Sequence, residues 1–119
     1  MSIDSLPDVE REALYLLLSG DDISCQALRA QLHHVEKLER AETGAGIYVD
    51  FEFGHGVEPL ANRKTFQISG VYAVSEKCGE IGFLLFVKDG LIDFLEAYVY
   101  TDLYPSYADC DFRLEKAAK

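Results

Sequence analysis

The sequence predicts an α+β fold in which two N-terminal helices pack on a roughly five-stranded, mostly antiparallel meander sheet. Apolar residues recur at helical spacing only in the first third of the chain, and alternating or fully apolar segments between turn signals follow it. Helices followed by strands are typical of α+β domains, and 119 residues are enough for one core. We therefore expect a single domain, 1–119, with a helical pair at about 5–34, the sheet at about 35–101 and a C-terminal loop and tail at 102–119.

The first helix is predicted by the segment SLPD at 5–8, which combines a capping residue, a proline and an acid near a helix start. Leucines at helical spacing follow until Gly20. A second helix begins after the SGDD turn at 19–22. Its predicted apolar face consists of Ile23, Ala27, Leu28 and Leu32.

The segment after the second helix gives one ambiguous secondary-structure signal and one clear one. Val35–Ala41 (VEKLERA) is compatible with an extension of the second helix or with a strand. The TGAG cluster at 43–46 and the alternating apolar residues of 47–53 favour a hairpin. A loop at 54–64 precedes the later strands.

The strongest hairpin signal is Asp89-Gly90, between the apolar segments 81–88 and 91–100. A two-residue turn at this point places Asp93 and Glu96 on opposite faces of the strand, because side chains alternate. Either a bulge separates the two acids, or one carboxylate lies among apolar neighbours and needs hydrogen-bond donors. A partly buried, structural Glu96 is expected ahead of a catalytic one, because structural networks commonly bury acids too.

Charge and targeting signals restrict the function. The net charge of −10 repels nucleic acid and anionic membranes. No segment approaches the roughly 18 apolar residues of a membrane-spanning helix, and the acidic start does not resemble a signal peptide. We expect a cytoplasmic protein that binds neither nucleic acid nor membrane. Three widely spaced cysteines, Cys25, Cys78 and Cys110, predict reduced thiols.

Catalytic, cofactor and metal signatures are weak. Adjacent His33 and His34 would point about 100° apart on a helix, unlike a zinc-binding pair. The DCD segment at 109–111 lacks the glycine and distal glutamate of a calcium loop. We therefore expect no enzyme, no cofactor and no bound metal.

Acids and tyrosines cluster near the C-terminus. Residues 89–112 contain six acids and no Lys or Arg, and tyrosine is enriched where proteins meet. This pattern predicts a contact surface for a protein partner. The expected contact residues are Asp93, Glu96, Asp102, Tyr104, Tyr107, Asp109 and Asp111.

The segment GFLLFVKDGLIDFLEAYVYTDLYP at 82–105 resembles the closing hairpin of small bacterial proteins that have two N-terminal helices and a short sheet. The likeness is carried by Gly82, Leu84, Leu85, Phe86, Val87, Asp89, Gly90, Leu91, Phe94, Leu95, Glu96, Tyr98 and Tyr100. Such proteins are similar to immunity proteins of polymorphic and contact-dependent growth inhibition toxins. The resemblance implies an immunity-type protein and no catalytic residues, and it does not identify a toxin. Together with the acid cluster and the tyrosines, it predicts a cytosolic protein that neutralises a basic toxin, for example a nuclease.

Two other interpretations stay open. A small enzyme or ligand-binding domain would use Glu96 and His55 in a cleft, because a carboxylate among apolar residues is also typical of a tuned acid. A homodimer would form through an exposed edge strand. A deep cleft would favour the enzyme, and a flat acidic face would favour the binding protein.

Overall fold

The computed structural model describes residues 3–100 and 103–117. Its helices are α1 (Asp8–Leu17) and α2 (Ile23–Gln31), and its strands are β1 (Val35–Glu42), β2 (Gly46–Phe53), β3 (Phe66–Ser75), β4 (Gly79–Lys88), β5 (Leu91–Tyr98) and β6 (Arg113–Lys116). The α+β prediction is confirmed. The number of strands was wrong, because β6 lies within the segment that was predicted as loop and tail, 102–119.

All strands form one antiparallel sheet with the order β1-β2-β5-β4-β3-β6. β3, β4 and β5 form a meander, but β2 pairs with β5 instead of β3. The sheet therefore extends on one side through the β1–β2 hairpin and on the other side through β6. The segment Val35–Ala41, left open between helix and strand, belongs to β1, where Leu38 pairs with Phe51 and both side chains are buried.

Both helices lie on the same face of the sheet. α1 packs against β3, β4 and β6, and α2 packs against β5. The core between helices and sheet contains Leu14 and Leu28 from the helices and Phe83 and Leu85 from β4, each at most 1% exposed. Burial of these side chains is the main stabilising contribution to the fold.

The N-terminus of α2 is capped by Asp22, whose side chain accepts a hydrogen bond of 3.3 Å from the backbone N–H of Cys25. Ile23, which was predicted on the apolar face, is 84% exposed. At about 100° per residue, Ile23 is roughly 140° away from Leu28 and roughly 180° away from Leu32 around the helix axis. The side that buries Leu28 and Leu32 therefore turns Ile23 to the surface.

The predicted turn at Asp89-Gly90 joins β4 and β5. Its residues have φ of 51° and 83°, as a two-residue type I′ turn requires. Gly90 is also close to a loop, because its carbonyl accepts from the N–H of Leu60 and its own N–H donates to Lys64. The turn therefore fixes both the hairpin and the connection between β2 and β3.

A bulge separates the two acids of β5. Lys88 pairs with Leu91 and Val87 with Ile92, but Phe86 then pairs with Phe94, so the register shifts by one residue at Asp93. Beyond the bulge, Leu95 and Ala97 face the core and Phe94 and Glu96 face outward. The first of the two alternatives drawn from the sequence is thus correct, and Glu96 does not lie in the core.

Two cysteines form a disulfide, contrary to the expectation of three reduced thiols. Cys78, in the turn between β3 and β4, is bonded to Cys110, and their Cα atoms are 6.1 Å apart. The two cysteines can form this bond because β6 pairs with β3, which brings the C-terminal segment next to the turn between β3 and β4. The free cysteine among the described residues, Cys25, is partly exposed. Burial, together with the hydrogen bond and charge of Asp22, raises the pKa of its thiol, which opposes formation of a nucleophilic thiolate.

Within residues 3–100 and 103–117, no helix is long and apolar enough to cross a membrane.

Candidate functional site

The outward face of the sheet carries side chains that no described helix covers. We call it the open face. It consists of Tyr48 and Asp50 from β2, Tyr72 from β3, Glu80, Leu84 and Phe86 from β4, and Phe94, Glu96 and Tyr98 from β5. These side chains alternate with the buried residues of the core, and each keeps intermediate or full exposure. Apolar and aromatic groups on an uncovered sheet face are typical of interaction surfaces.

Three aromatic rings form a row across the middle of the open face. The Phe86 and Phe94 rings stack, with centroids 5.2 Å apart and planes 14° apart. The Tyr48 ring follows, with its centroid 5.7 Å from that of Phe94 and a tilt of 57°. The strand register explains the row, because Phe86 and Phe94 are direct cross-strand partners and Tyr48 pairs with the residue two positions after Phe94.

Two carboxylates alternate with two of these rings. On neighbouring strands, Asp50 pairs with Phe94 and Tyr48 pairs with Glu96. The Tyr48 hydroxyl donates a hydrogen bond of 3.1 Å to Glu96 Oε2, and this bond raises the pKa of Tyr48. We call this group of four residues the acid–aromatic square.

The basic group of β1 on this face is already paired. Lys37 Nζ lies 2.9 Å from Glu39 Oε1 and 3.7 Å from Glu52 Oε2. Neither Asp50 nor Glu96 takes part in an ion pair among the described residues. The two carboxylates of the acid–aromatic square therefore have no ion-pair partner among the described residues, and they lie beside rings that are at least partly exposed.

Two further tyrosines extend the aromatic surface toward the end of β5. The rings of Tyr98 and Tyr100 meet edge to face, with centroids 5.8 Å apart. Tyr98 covers Gly82 of β4, where a larger residue would collide with its ring. Tyr100 is 79% exposed and is available for contact with another molecule.

Tyr104 and Tyr107, expected to contact a partner, instead pack on the helix side of the sheet. Their hydroxyl oxygens are 2.6 Å apart, and the Tyr107 hydroxyl donates a second bond of 2.6 Å to Glu10 Oε2. Burial is the main cause that raises the pKa of both phenols. Because their polar ends point into the protein, they attach the C-terminal segment to α1 and do not form an exposed contact surface.

Their acceptor, Glu10, is the main feature that sequence reasoning missed. Its side chain is fully buried, and Arg40 binds it in a bidentate manner, with Nε 2.9 Å from Oε1 and Nη2 2.7 Å from Oε2. The hydrogen bond to Glu10 raises the pKa of Arg40, which stays charged. A signal did exist: Glu10 shares helical spacing with Ala13, Leu14 and Leu17, so it lies on the buried side of α1.

Of the remaining expected contact residues, Asp93 lies in β5, whereas Asp109 and Asp111 lie in the C-terminal segment. Asp93 is partly exposed at the bulge of β5, near the open face. Asp109 and Asp111 are exposed on either side of the disulfide-bonded Cys110, and Asp102 lies outside the described residues. The six described residues of the predicted contact surface are therefore not brought together on one face of the protein.

Glu96 and His55, the pair of the enzyme hypothesis, are not brought together. The partner of Glu96 on β2 is Tyr48, and His55 follows the far end of that strand at Phe53. Five residues of extended chain already span about 17 Å. A cavity of about 660 Å³ between α2 and the loop 56–62 contains neither residue, and it is lined by side chains such as Ala27, His34 and Pro59. Among the described residues, no three His, Cys, Asp or Glu side chains are arranged to hold a metal ion.

Comparison of the chain with models of protein families, with curated proteins and with solved structures finds no match. The chemistry of the open face is therefore the basis for assigning a function.

Proposed function

We propose that this protein is a binding module of the immunity type, which neutralises a basic protein toxin by contact through the open face. The observation that carries the proposal is the acid–aromatic square, where the rings of Tyr48 and Phe94 lie beside the carboxylates of Asp50 and Glu96. The resemblance of residues 82–105 to immunity proteins supports it. We propose no catalytic role.

The composition of the face matches what a protein partner requires. Protein interfaces are enriched in aromatic residues at their centre and are polar at their rim. The Phe86, Phe94 and Tyr48 rings would form such a centre, and Asp50, Glu96 and other acids would surround it. A net charge of −10 would accelerate encounter with a positively charged protein and would repel nucleic acid.

A nuclease is the kind of toxin that fits best. Proteins that bind nucleic acid present Lys and Arg to phosphates. The carboxylates of the open face would pair with those bases, and the bound protein would block access of the substrate. Asp93 and Glu96 keep the contact role expected from the sequence, and Asp109 and Asp111 would act at longer range by steering.

The proposed location is the cytoplasm, where such a toxin would act. The Cys78–Cys110 bond is in tension with that location, because cytosolic thiols are normally kept reduced. Other contacts hold the same segment, namely the pairing of β6 with β3 and the bond from Tyr107 to Glu10. We therefore propose that the fold and the binding activity persist in the reduced protein.

The proposal predicts that a gene beside that of this chain encodes a secreted protein with a toxic C-terminal domain, and the test uses that domain. That domain should arrest growth when expressed alone, and co-expression of this protein should restore growth. Binding should become weaker as salt rises from low to physiological concentration, mainly through a slower association rate. Absence of any complex with this domain, or absence of growth protection, would contradict the proposal.

Two matched pairs of charge reversals test whether the open face is the surface that binds the toxin. Asp50→Lys with Glu96→Lys should weaken the complex by roughly 2 kcal/mol or more, because repelled charges would lie within the contact. Asp109→Lys with Asp111→Lys makes the same change in net charge outside the acid–aromatic square and should affect mainly the association rate. Equal losses from both pairs would mean that net charge matters and the open face does not.

A further inference from the structure

The acid–aromatic square has the dimensions and chemistry of a subsite for one cation. Direct cross-strand neighbours lie about 5 Å apart, and residues two positions apart on a strand lie about 7 Å apart. Tyr48 and Phe94 occupy one diagonal of this patch, and Asp50 and Glu96 occupy the other. A group at the centre would therefore touch two rings and two carboxylates together.

We propose that this square binds a single arginine side chain of the protein partner, a proposal that rests on the proposed function and specifies its contact. The Tyr48 and Phe94 centroids are 5.7 Å apart. A cation about 4.5 Å above their midpoint would lie about 5 Å from each centroid, within the roughly 6 Å range of cation–π attraction. The carboxylates of Asp50 and Glu96 would flank it.

Arginine fits this arrangement better than lysine does. Its guanidinium is planar, stacks on aromatic rings and has donors on several edges, whereas an ammonium is a compact, strongly hydrated charge. Glu96 Oε2 already accepts the hydrogen bond of Tyr48, which holds that carboxylate beside the ring. Asp50, at the opposite corner, is in no ion pair with a described residue, so a guanidinium would meet acceptors on two sides.

The base that β1 contributes to the outward side of the sheet is bound to acids outside the subsite. On β1, Lys37 lies opposite Glu52, and its ammonium is bound by Glu39 and Glu52. Because no described base forms an ion pair with Asp50 or Glu96, we assign the charge that would complete the square to another molecule. Because proteins that bind phosphate groups expose arginine, the subsite is suited to a toxin of the proposed class.

Short peptides test the subsite without the toxin. The acetylated and amidated tripeptide Gly-Arg-Gly is titrated into isotope-labelled protein, followed by matched peptides that contain lysine or uncharged citrulline. Amide signals of Tyr48, Asp50, Phe94 and Glu96 should shift with the arginine peptide. Its affinity should exceed that of the lysine peptide by roughly two- to five-fold, and citrulline should not bind. Equal affinity for arginine and lysine, or shifts that map elsewhere, would overturn the proposal.

Variants separate the contribution of the aromatic rings to binding from the contribution of net charge. Phe94→Leu keeps an apolar side chain and the charge, and it should abolish the preference for arginine over lysine. Tyr48→Leu should do the same and guards against a folding defect in the first variant, which circular dichroism would reveal. Glu80→Gln removes one acid from the open face outside the square and should leave the preference unchanged. A preference that survives both ring variants would show that the square does not bind the arginine.

The peptide and toxin experiments can fail separately. If the arginine peptide binds the square but the toxin complex tolerates charge reversal there, the arginine subsite is correct. The proposal that the toxin binds through the open face is then wrong. If the toxin complex depends on Asp50 and Glu96 but Phe94→Leu leaves toxin affinity and arginine preference unchanged, the proposed function stands and the arginine subsite is wrong.

Discussion

The Tyr107 hydroxyl should stabilise the folded chain, and its removal gives a test of where the C-terminal tyrosines act. The hydroxyl donates a bond of 2.6 Å to the buried carboxylate of Glu10 and lies 2.6 Å from the hydroxyl oxygen of Tyr104. Tyr107→Phe keeps the ring, which packs edge to face against Tyr104 and Phe112. The change therefore isolates the polar contacts.

The expected loss follows from the charge and burial of the acceptor. A hydrogen bond to a charged group contributes about 1.5–3 kcal/mol, and Tyr104 also loses a partner. We expect the free energy of unfolding to fall by about 2 kcal/mol and the melting temperature to fall by roughly 8 °C for a domain of this size. Arg40→Leu should cost more, about 3–5 kcal/mol, because it leaves the carboxylate of fully buried Glu10 without its cation.

Urea unfolding followed by circular dichroism measures the effect. Tyr100→Phe is the matched control, because Tyr100 is 79% exposed and its hydroxyl should contribute within about 0.5 kcal/mol. Toxin affinity of folded Tyr107→Phe should equal that of the wild type. Unchanged stability together with weaker toxin binding would refute the reasoning and would restore Tyr107 as a contact residue.

Four other outcomes follow from the structure. Stability should fall as pH rises above about 10, where the unfolded tyrosines ionise, because Tyr104 and Tyr107 have raised pKa values when folded; Tyr107→Phe should flatten this alkaline loss in a pH series of urea titrations. Cys110→Ser opens the crosslink between residues 32 apart in sequence and should cost up to about 4 kcal/mol while toxin binding persists; loss of binding would contradict the cytoplasmic proposal. Gly90→Val should lower thermal stability by more than about 1 kcal/mol, since φ is 83° and a Cβ would lie 2.8 Å from Leu60 N; wild-type melting would contradict the turn assignment. Glu96→Leu should leave stability within about 0.5 kcal/mol and weaken toxin binding, whereas a large loss of stability would indicate a structural acid.

Local chemistry made parts of the fold predictable. The dipeptide Asp89-Gly90 predicts a turn by itself. A type I′ turn needs positive φ at both central positions, and Asp and Gly are among the few residues that adopt it. The conflict between Asp93 and Glu96 was also visible, since strict alternation would bury one acid. Its resolution by a bulge depends on which register packs the core best, and that comparison needs the neighbouring strands.

Features that join distant segments could not be predicted in the same way. The order of β2 beside β5, the pairing of β6 with β3 and the Cys78–Cys110 bond each depend on where the chain returns after a loop. The direction of Tyr107 depends on Glu10, 97 residues earlier in the chain. Composition indicated an acidic and tyrosine-rich region, but only the strand register selects which aromatic and acidic residues share the open face.

Cross-saturation from the toxin to this protein tests the central claim most directly, because it reports which side chains lie against the partner. Unlabelled toxin domain is irradiated in its complex with isotope-labelled protein, and the loss of ring signals is measured. The account predicts strong transfer to Tyr48, Phe86 and Phe94 and little to Tyr104 and Tyr107. Strong transfer to Tyr104 and Tyr107, with none to the rings of the open face, would contradict it.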